Sequence, residues 1–291
     1  MNKILAYYNL TKPGITRMVI LTTTVGYYLA IPIATVEYFG ELEHLMRLVM
    51  TVIGSTLICA GSCVLNNYIE RDIDKLMKRT MNRALATGDI SAKNGLLYGA
   101  FLSILGGVTL WFINPLTFIL ALATWISYVV IYTPLKRVSK LSLFIGAIPG
   151  ALPMLGGWTA YKNSIDTPAI LLFAIMFIWQ LPHFLSLSWM YKKDYERGGF
   201  AMSAVTDETG KKISTETLIY CLILLPVSLG LWQTGVVGSV YAVGSVVLSA
   251  VFIFYGIRFR RNPSVENARS TLLASYFFLT TLMILMFLDK V

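Results

Sequence analysis

The chain has 291 residues, of which 56% are hydrophobic and only 13% are charged. A soluble protein carries about twice that charged fraction, so the composition excludes an ordinary water-soluble enzyme. The formal net charge is +9. Basic loops on one side of a membrane explain this excess, so it does not call for a nucleic-acid partner.

Apolar residues arrive in blocks of roughly 20, the length of helix that crosses about 30 Å of hydrocarbon. These blocks predict an all-α, polytopic membrane protein with nine transmembrane helices in one bundle around a central cavity. They also predict a single intramembrane domain over residues 1–291. The predicted spans are residues 16–36, 45–66, 94–113, 115–134, 141–160, 168–189, 214–234, 238–257 and 271–288.

The basic residues favour one side of these nine spans. If the N-terminus is cytoplasmic, all but three of the 24 Lys and Arg residues fall in inside segments, the exceptions being Arg47, Lys162 and Lys290. Such a bias is the positive-inside signal, and it predicts a C-terminus outside. Residues 1–17 resemble neither a cleavable signal nor an organelle transit peptide. A bacterial or archaeal plasma (cell) membrane is therefore the expected location.

Polar residues follow the second span directly. Asn66, Glu70 and Asp74 are spaced i, i+4, i+8, and on a helix each step of four turns a side chain by only about 40°. One face therefore presents three oxygen ligands at the edge of the membrane. Basic residues accompany them, namely Arg71, Lys75, Lys78, Arg79 and Arg83. Oxygen ligands beside cations suit a complex of magnesium with a diphosphate.

A second polar loop follows the sixth span, so the two charged loops are separated by four spans. This placement suggests a bundle of two similar halves. Asp194 comes first after the apolar run and is the candidate for a second carboxylate ligand of the metal. The candidate cations of this loop are Lys192, Lys193 and Arg197.

His183 lies inside the sixth span, directly after Pro182. An imidazole at this depth is either bonded to a neighbouring helix or functional, as an iron-porphyrin ligand or a proton acceptor. Cys59 and Cys63 are predicted to be packing residues. Several aromatic residues are candidates to face the cavity and stabilise a cation, namely Trp125, Tyr128, Tyr132, Trp158 and Trp179.

The pattern Asn-x-x-x-Glu-x-x-x-Asp after the second span resembles the signature of UbiA-type intramembrane prenyltransferases. More narrowly, the chain resembles the protoheme IX farnesyltransferases, which make heme O, and Pro-His-Phe with the following Asp-Tyr carries that narrower likeness. The segments that carry the resemblance are residues 10–30, 66–85, 132–158 and 179–202.

The resemblance implies transfer of a farnesyl group from farnesyl diphosphate to protoheme IX, with heme as a substrate and Mg²⁺ as the cofactor. It implies that Asn66, Glu70 and Asp74 hold Mg²⁺ and that Asp194 serves the second loop. His183 matches the family histidine. The resemblance places Arg71, Lys75, Arg79 and Arg83 around the phosphates. Further expected partners are the lipid bilayer and a downstream heme A synthase or cytochrome oxidase assembly proteins.

Some residues depart from the family pattern. Glu70 stands where Asp is usual, and Ala84 and Met154 stand where Pro is common. The second loop lacks the Asp-x-x-x-Asp motif of the quinone-type relatives. Two alternatives remain open at the level of sequence: a prenyltransferase for a quinone or other aromatic acceptor, and a membrane carrier for heme or another small molecule.

Overall fold

The computed structural model describes residues 3–32 and 35–291, with the side chains of these residues other than 35–37. Within these ranges the chain is helical, and the only β feature is an isolated bridge between Val237 and Lys290. Five short helices precede or connect the long ones, at Lys3–Leu10, Thr35–Gly40, Ala84–Thr87, Lys192–Arg197 and Ser203–Thr206. The long helices are α1 (Pro13–Ala30), α2 (Leu42–Asp74), α3 (Ala92–Trp111), α4 (Pro115–Leu135, with a π-helical segment at Ile126–Tyr132), α5 (Ser142–Lys162), α6 (Thr167–Met190), α7 (Lys211–Gln233), α8 (Ser239–Arg261) and α9 (Val265–Leu288).

The prediction of an all-helical, multi-pass membrane protein is confirmed. In the described ranges, the eight helices α2 to α9 are long and apolar enough to cross a membrane. The predicted count of nine depends on α1, which has 18 residues but is not among those eight. Arg17 and the threonines at 22–24 lower its hydropathy. α2 continues past the predicted end at residue 66 to Asp74, so the polar stripe belongs to one unbroken helix.

Local capping explains where several helices begin. Asn114, Asp166 and Ser264 precede α4, α6 and α9, and each accepts a hydrogen bond from a backbone N–H in the first turn of its helix. These bonds satisfy donors that the helix itself leaves free. Proline occupies the first turn of α1, α4 and α6, where its missing N–H costs nothing.

The long helices pack against one another and also surround an internal cavity. α1 packs against α2, α5 and α9, while α4 and α6 both pack against α5. α6 also contacts α7 and α9, and α8 lies between those two. The largest buried cluster joins α1, α5 and α6 to α7, α8 and α9. This arrangement leaves a cavity bordered by α1, α2, α4, α5, α6 and α9.

Close approach of α1 and α5 depends on small residues. A Cβ on Gly157 would meet the backbone carbonyl oxygen of Thr23 well inside contact distance, whereas a Cβ on Gly156 would meet nothing within 4 Å. We therefore expect Gly157→Ala to lower the stability of the bundle by about 1–3 kcal/mol, the usual cost of overpacking. Gly156→Ala, the adjacent control, should leave the melting temperature in detergent unchanged. Equal melting temperatures for the two variants would contradict the packing that we describe.

Candidate active site

The interior of the bundle contains a cavity of about 710 Å³. This volume lies in the upper part of the range that is usual for small-molecule sites. Most of its wall is apolar and comes from membrane-spanning helices, with residues such as Leu120, Leu152 and Met176. A polar region occupies one end, beside the last turns of α2. We call this region the charged end and define it as Lys12, Asn66, Glu70, Asp74, Arg79, Arg83 and Lys136.

The three predicted oxygen ligands lie together at the charged end. Asn66, Glu70 and Asp74 all line the cavity, and their exposed fractions are 1%, 4% and 1%. The i, i+4, i+8 spacing therefore places all three side chains on one face of α2, as the helical period predicts. Burial of two carboxylates is costly unless each has a partner of opposite charge.

Each of these side chains has a basic partner from elsewhere in the chain. Lys12 Nζ donates to Asn66 Oδ1 at 2.6 Å, and Lys136 forms an ion pair with Glu70. Arg83 Nη1 donates to both oxygens of Asp74, at 2.9 and 2.8 Å. The charged end is thus a set of paired charges in which every oxygen ligand lies beside a cation.

Lys12 occupies an unusual backbone position. Its φ is 51° and its ψ is 69°, the left-handed region that non-glycine residues rarely adopt. Pro13 follows at the start of α1, and this geometry turns the lysine into the cavity instead of toward solvent. Burial lowers the pKa of Lys12 to about 8, because a charged amine is disfavoured away from water. An arriving anion would stabilise the charged amine.

The π-helical segment of α4 forms the wall next to the charged end. Tyr128 and Tyr132 line the cavity, with their rings stacked at a centroid distance of 5.4 Å. Thr133 donates to the carbonyl of Tyr128 and accepts from Asn66 Nδ2. Lys136 Nζ lies 4.7 Å from the centre of the Tyr132 ring. This aromatic face therefore already accommodates a cation.

The second loop covers the charged end with aromatic side chains. Tyr195 and Phe200 line the cavity, and the Tyr195 hydroxyl lies 3.5 Å from Arg79 Nη2. The backbone N–H of Ala201 donates to the carbonyl of Lys136, so the loop fixes the start of that lysine side chain. Burial raises the pKa of Tyr195, which keeps its hydroxyl protonated as a donor.

His183 lines the cavity from α6 and is 7% exposed. Its Nδ1 lies 2.8 Å from the hydroxyl of Ser275 on α9. The rings of Trp179, Phe184 and Tyr276 surround the imidazole. Both sequence interpretations of this residue therefore have a structural basis, since it is bonded to a neighbouring helix and also faces the cavity.

Six of the predicted site residues lie away from the cavity lining. They have other partners: Arg71 and Lys75 pair with Asp72, Lys192 donates to the carbonyl of Asp207, and the buried Asp194 pairs with Arg197, while Lys193 is exposed. The second loop thus brings aromatic rings to the site where the sequence suggested charges. A ligand role for Asp194 has no support from its position.

Some residues of the site were not identified from the sequence. Lys12 and Lys136 are the clearest cases, because both form part of the charged end. Cys59 and Cys63, which the sequence suggested were packing residues, are free thiols in the cavity wall. Of the five aromatic candidates, Tyr128, Tyr132 and Trp179 line the cavity, whereas Trp125 and Trp158 do not.

The donor set at the charged end fits one kind of metal site. Over residues 3–32 and 35–291 there is no group of three or more His, Cys, Asp and Glu side chains able to hold a metal ion. An amide and two carboxylates are hard oxygen donors, and they are too few for an all-protein cage. Mg²⁺ is usually held by one or two carboxylates, with substrate phosphates and water completing its octahedron. The residues present therefore fit Mg²⁺ bound together with a phosphate ligand.

Comparison with known sequences gives consistent matches. Residues 19–282 match the model of the UbiA prenyltransferase family. The chain is 38% identical over 287 residues to the protoheme IX farnesyltransferase of Solibacter usitatus (strain Ellin6076), with 98% of each chain covered. It is also 38% identical over 286 residues to the protoheme IX farnesyltransferase of Alkalihalophilus pseudofirmus, covering 96% of this chain and 88% of that protein.

Comparison with solved structures gives the same fold. A digeranylgeranylglyceryl phosphate synthase superposes with a TM-score of 0.80 at 17% identity, over 99% of each chain. A UbiA homologue from Archaeoglobus fulgidus, solved with GPP and Mg²⁺, superposes with a TM-score of 0.68 at 17% identity. That match covers 97% of this chain and 99% of the homologue.

Proposed function

The chain belongs to the UbiA prenyltransferase family and is a membrane-embedded prenyltransferase, and from this premise we propose that it transfers farnesyl from farnesyl diphosphate to a vinyl group of protoheme IX. The reaction also consumes water and releases diphosphate, and its product is heme O. The names of the relatives from Solibacter and Alkalihalophilus support this choice of substrates.

The charge of the cavity is the observation that carries the proposal. Its lining includes five Lys and Arg side chains but only two Asp and Glu side chains, and six of these seven belong to the charged end. Such an excess of positive charge attracts an anion. The rest of the wall is apolar, so the ligand that fits has an anionic head and a hydrocarbon tail. A prenyl diphosphate has this form.

We propose that Asn66, Glu70 and Asp74 hold Mg²⁺ at the charged end. When bound, Mg²⁺ supplies Lewis-acid neutralisation of the diphosphate and so makes it a better leaving group. The homologue from Archaeoglobus fulgidus was solved with GPP and Mg²⁺, which supports the same pairing here. Glu70 has one more methylene than the usual Asp and offers the same carboxylate.

The chain's own residues perform the remaining work on the donor substrate. Lys12, Arg83 and Lys136 bind phosphate oxygens and stabilise the charge that develops on the leaving group. The apolar wall keeps water away from the allylic cation, which would otherwise be quenched. Tyr128 and Tyr132 present their rings to that cation, and Lys136 Nζ already lies over the ring of Tyr132.

The acceptor reaction balances with one water molecule. The terminal vinyl carbon of protoheme attacks C1 of the farnesyl cation and forms a carbon–carbon bond. The positive charge then lies on the carbon next to the porphyrin ring, where water adds and loses a proton. The products are the hydroxyethylfarnesyl side chain of heme O, diphosphate and a proton.

Product analysis tests this proposal directly. The protein in membranes is supplied with protoheme IX and either geranyl, farnesyl or geranylgeranyl diphosphate. We expect a heme product whose mass is greater by one farnesyl group and one hydroxyl group, with stoichiometric release of diphosphate. Chelation of Mg²⁺ should abolish both signals, and added Mg²⁺ should restore them.

Three outcomes would contradict the proposal. Transfer to a quinone or another aromatic acceptor, with none to protoheme, would identify the alternative acceptor class. Full product formation after exhaustive chelation would remove the metal from the reaction. Release of diphosphate without any acceptor would show hydrolysis only.

The distribution of basic loops supports a location and an orientation. We propose a bacterial or archaeal plasma membrane with the N-terminus in the cytoplasm and the C-terminus outside. Reporter domains fused at each end test this orientation, because only the outside fusion should be accessible to protease in intact cells. Access to both ends from the same side would require an even number of spans.

A further inference from the structure

Among the described residues, the side chain of His183 makes its one hydrogen bond through Nδ1. The partner is the hydroxyl of Ser275 on α9, at 2.8 Å. Ser275 is fully buried and does not line the cavity, so it lies behind the imidazole as seen from the interior. Within the described part of the chain, Nε2 of His183 has no hydrogen-bond partner. A buried imidazole with one nitrogen held and the other free requires an explanation.

The proton positions follow from the second contact of Ser275. Its Oγ lies 2.6 Å from the carbonyl oxygen of Leu272, and a carbonyl can only accept. The hydroxyl has one proton, which it donates to Leu272. Oγ must therefore accept from His183, so the imidazole carries its proton on Nδ1. In neutral histidine this leaves the lone pair on Nε2.

Ser275 is held in place by α6 at two points. Trp179 Nε1 donates to the backbone carbonyl of Ser275 at 2.8 Å, and Trp179 precedes His183 by four residues on the same helix. Because residues four apart share one face of a helix, both side chains reach α9 at the same place. The orientation of the imidazole is thus fixed by packing as well as by hydrogen bonding.

The surroundings of Nε2 favour coordination of a metal over acceptance of a proton. Aromatic rings flank the imidazole at centroid distances of 5.0 Å for Trp179, 5.4 Å for Phe184 and 4.9 Å for Tyr276, and flat apolar surfaces suit a planar macrocycle. Among the described residues, no carboxylate contacts the imidazole to strengthen it as a base. Histidine ligands of metals usually donate their other N–H to a fixed oxygen, which sets the tautomer.

We propose that Ser275 is a positioning residue that holds His183 in the Nδ1-protonated tautomer, so that Nε2 ligates the iron of protoheme IX in the cavity. This inference rests on the proposed function, because protoheme is the acceptor there. It goes further by assigning the atom that binds the iron and the residue that orients it. Neutral imidazole is a common axial ligand of heme iron.

Titration of the purified protein with ferric protoheme tests the inference without any prenyl transfer. We expect the unsubstituted protein to give an absorption and EPR spectrum of histidine-ligated heme. His183→Ala should lose that spectrum and regain it with added imidazole. Ser275→Ala should weaken protoheme binding by roughly 10- to 100-fold, the usual effect of losing an outer partner of a metal ligand. Metal-free protoporphyrin IX should bind Ser275→Ala and the unsubstituted protein equally.

Ser245→Ala is the matched control. Ser245 is also fully buried, donates to a carbonyl three residues earlier on its helix, and does not line the cavity. It should bind protoheme as the unsubstituted protein does. Wild-type protoheme binding by Ser275→Ala would overturn the inference and leave the proposed function intact. An equal loss of metal-free porphyrin would also overturn it, because the role would then be packing. Failure of the unsubstituted protein to bind protoheme would remove the proposed function itself.

Discussion

Replacement of Asp74 by Asn is expected to lower the rate of prenyl transfer by roughly 100-fold or more, the scale seen when one electrostatic group of a transition state is lost. Asp74 is 1% exposed, and both of its oxygens accept from Arg83. Asn keeps the shape but has one acceptor oxygen and no charge. It would weaken the proposed Mg²⁺ site and leave Arg83 without its counter-ion. Diphosphate release in membranes with matched expression measures the effect.

Asp72→Asn is the control for that experiment. It makes the same chemical change two residues earlier on α2, but Asp72 has a side chain that is 68% exposed and pairs with Lys75 at the surface. A surface pair of this kind contributes at most about 1 kcal/mol, so activity should stay at the wild-type level. The site assignment would be refuted by normal turnover in Asp74→Asn, or by equal losses in the two variants.

The oxygen stripe was predictable because it depends only on the period of one helix. The same period explains why Arg71 and Lys75 lie outside the cavity. Each follows a stripe residue by one position, and one position on a helix is a rotation of about 100°. Their side chains therefore meet Asp72 on the outer face of α2. Proximity in the sequence suggested a common site, whereas the helix separates the two sets.

Lys12 and Lys136 were not predictable by the same reasoning. Lys12 is 54 positions from Asn66, and only the packing of α1 on α2 brings them together. Lys136 belongs to a basic loop with Arg137 and Lys140, and such loops are read first as signals of membrane orientation. No local pattern distinguishes the lysine that pairs with Glu70 from its neighbours. Contacts of this kind depend on tertiary structure.

The second loop shows that pairing of charges, and not burial alone, decides which residues face the cavity. The short helix Lys192–Arg197 buries both Asp194 and Tyr195, but only Tyr195 lines the cavity. Burial of an aromatic ring lowers the free energy of the folded protein, whereas burial of an unpaired charge raises it. Asp194 instead pairs with Arg197, one turn later on the same short helix. The second loop is rich in charged residues, yet it contributes aromatic side chains to the cavity lining.

The second large effect is expected at the buried pair of Glu70 and Lys136. Their side chains are only 6% and 10% exposed. Lys136→Met would leave Glu70 as an uncompensated buried charge, which costs about 3–5 kcal/mol. Removing both charges in Glu70→Gln/Lys136→Met should restore most of the lost stability, since neither side chain then carries a buried charge. Activity should remain lost in the double variant, because the phosphate contact and the proposed metal ligand are both gone. Thermal unfolding followed by circular dichroism, together with diphosphate release, measures the two effects separately.

Lys212→Met provides the control for that pair. Lys212 lies 4.0 Å from Glu216, with side chains that are 60% and 30% exposed, and loss of such a pair should change stability by less than about 1 kcal/mol. If the double variant were as unstable as Lys136→Met, the destabilisation would come from lost packing and not from an unpaired charge. If the double variant kept its activity, Glu70 and Lys136 would serve the fold alone, and Mg²⁺ and diphosphate would need other ligands. Stability that recovers while activity does not is the one combination that assigns these two residues to the reaction.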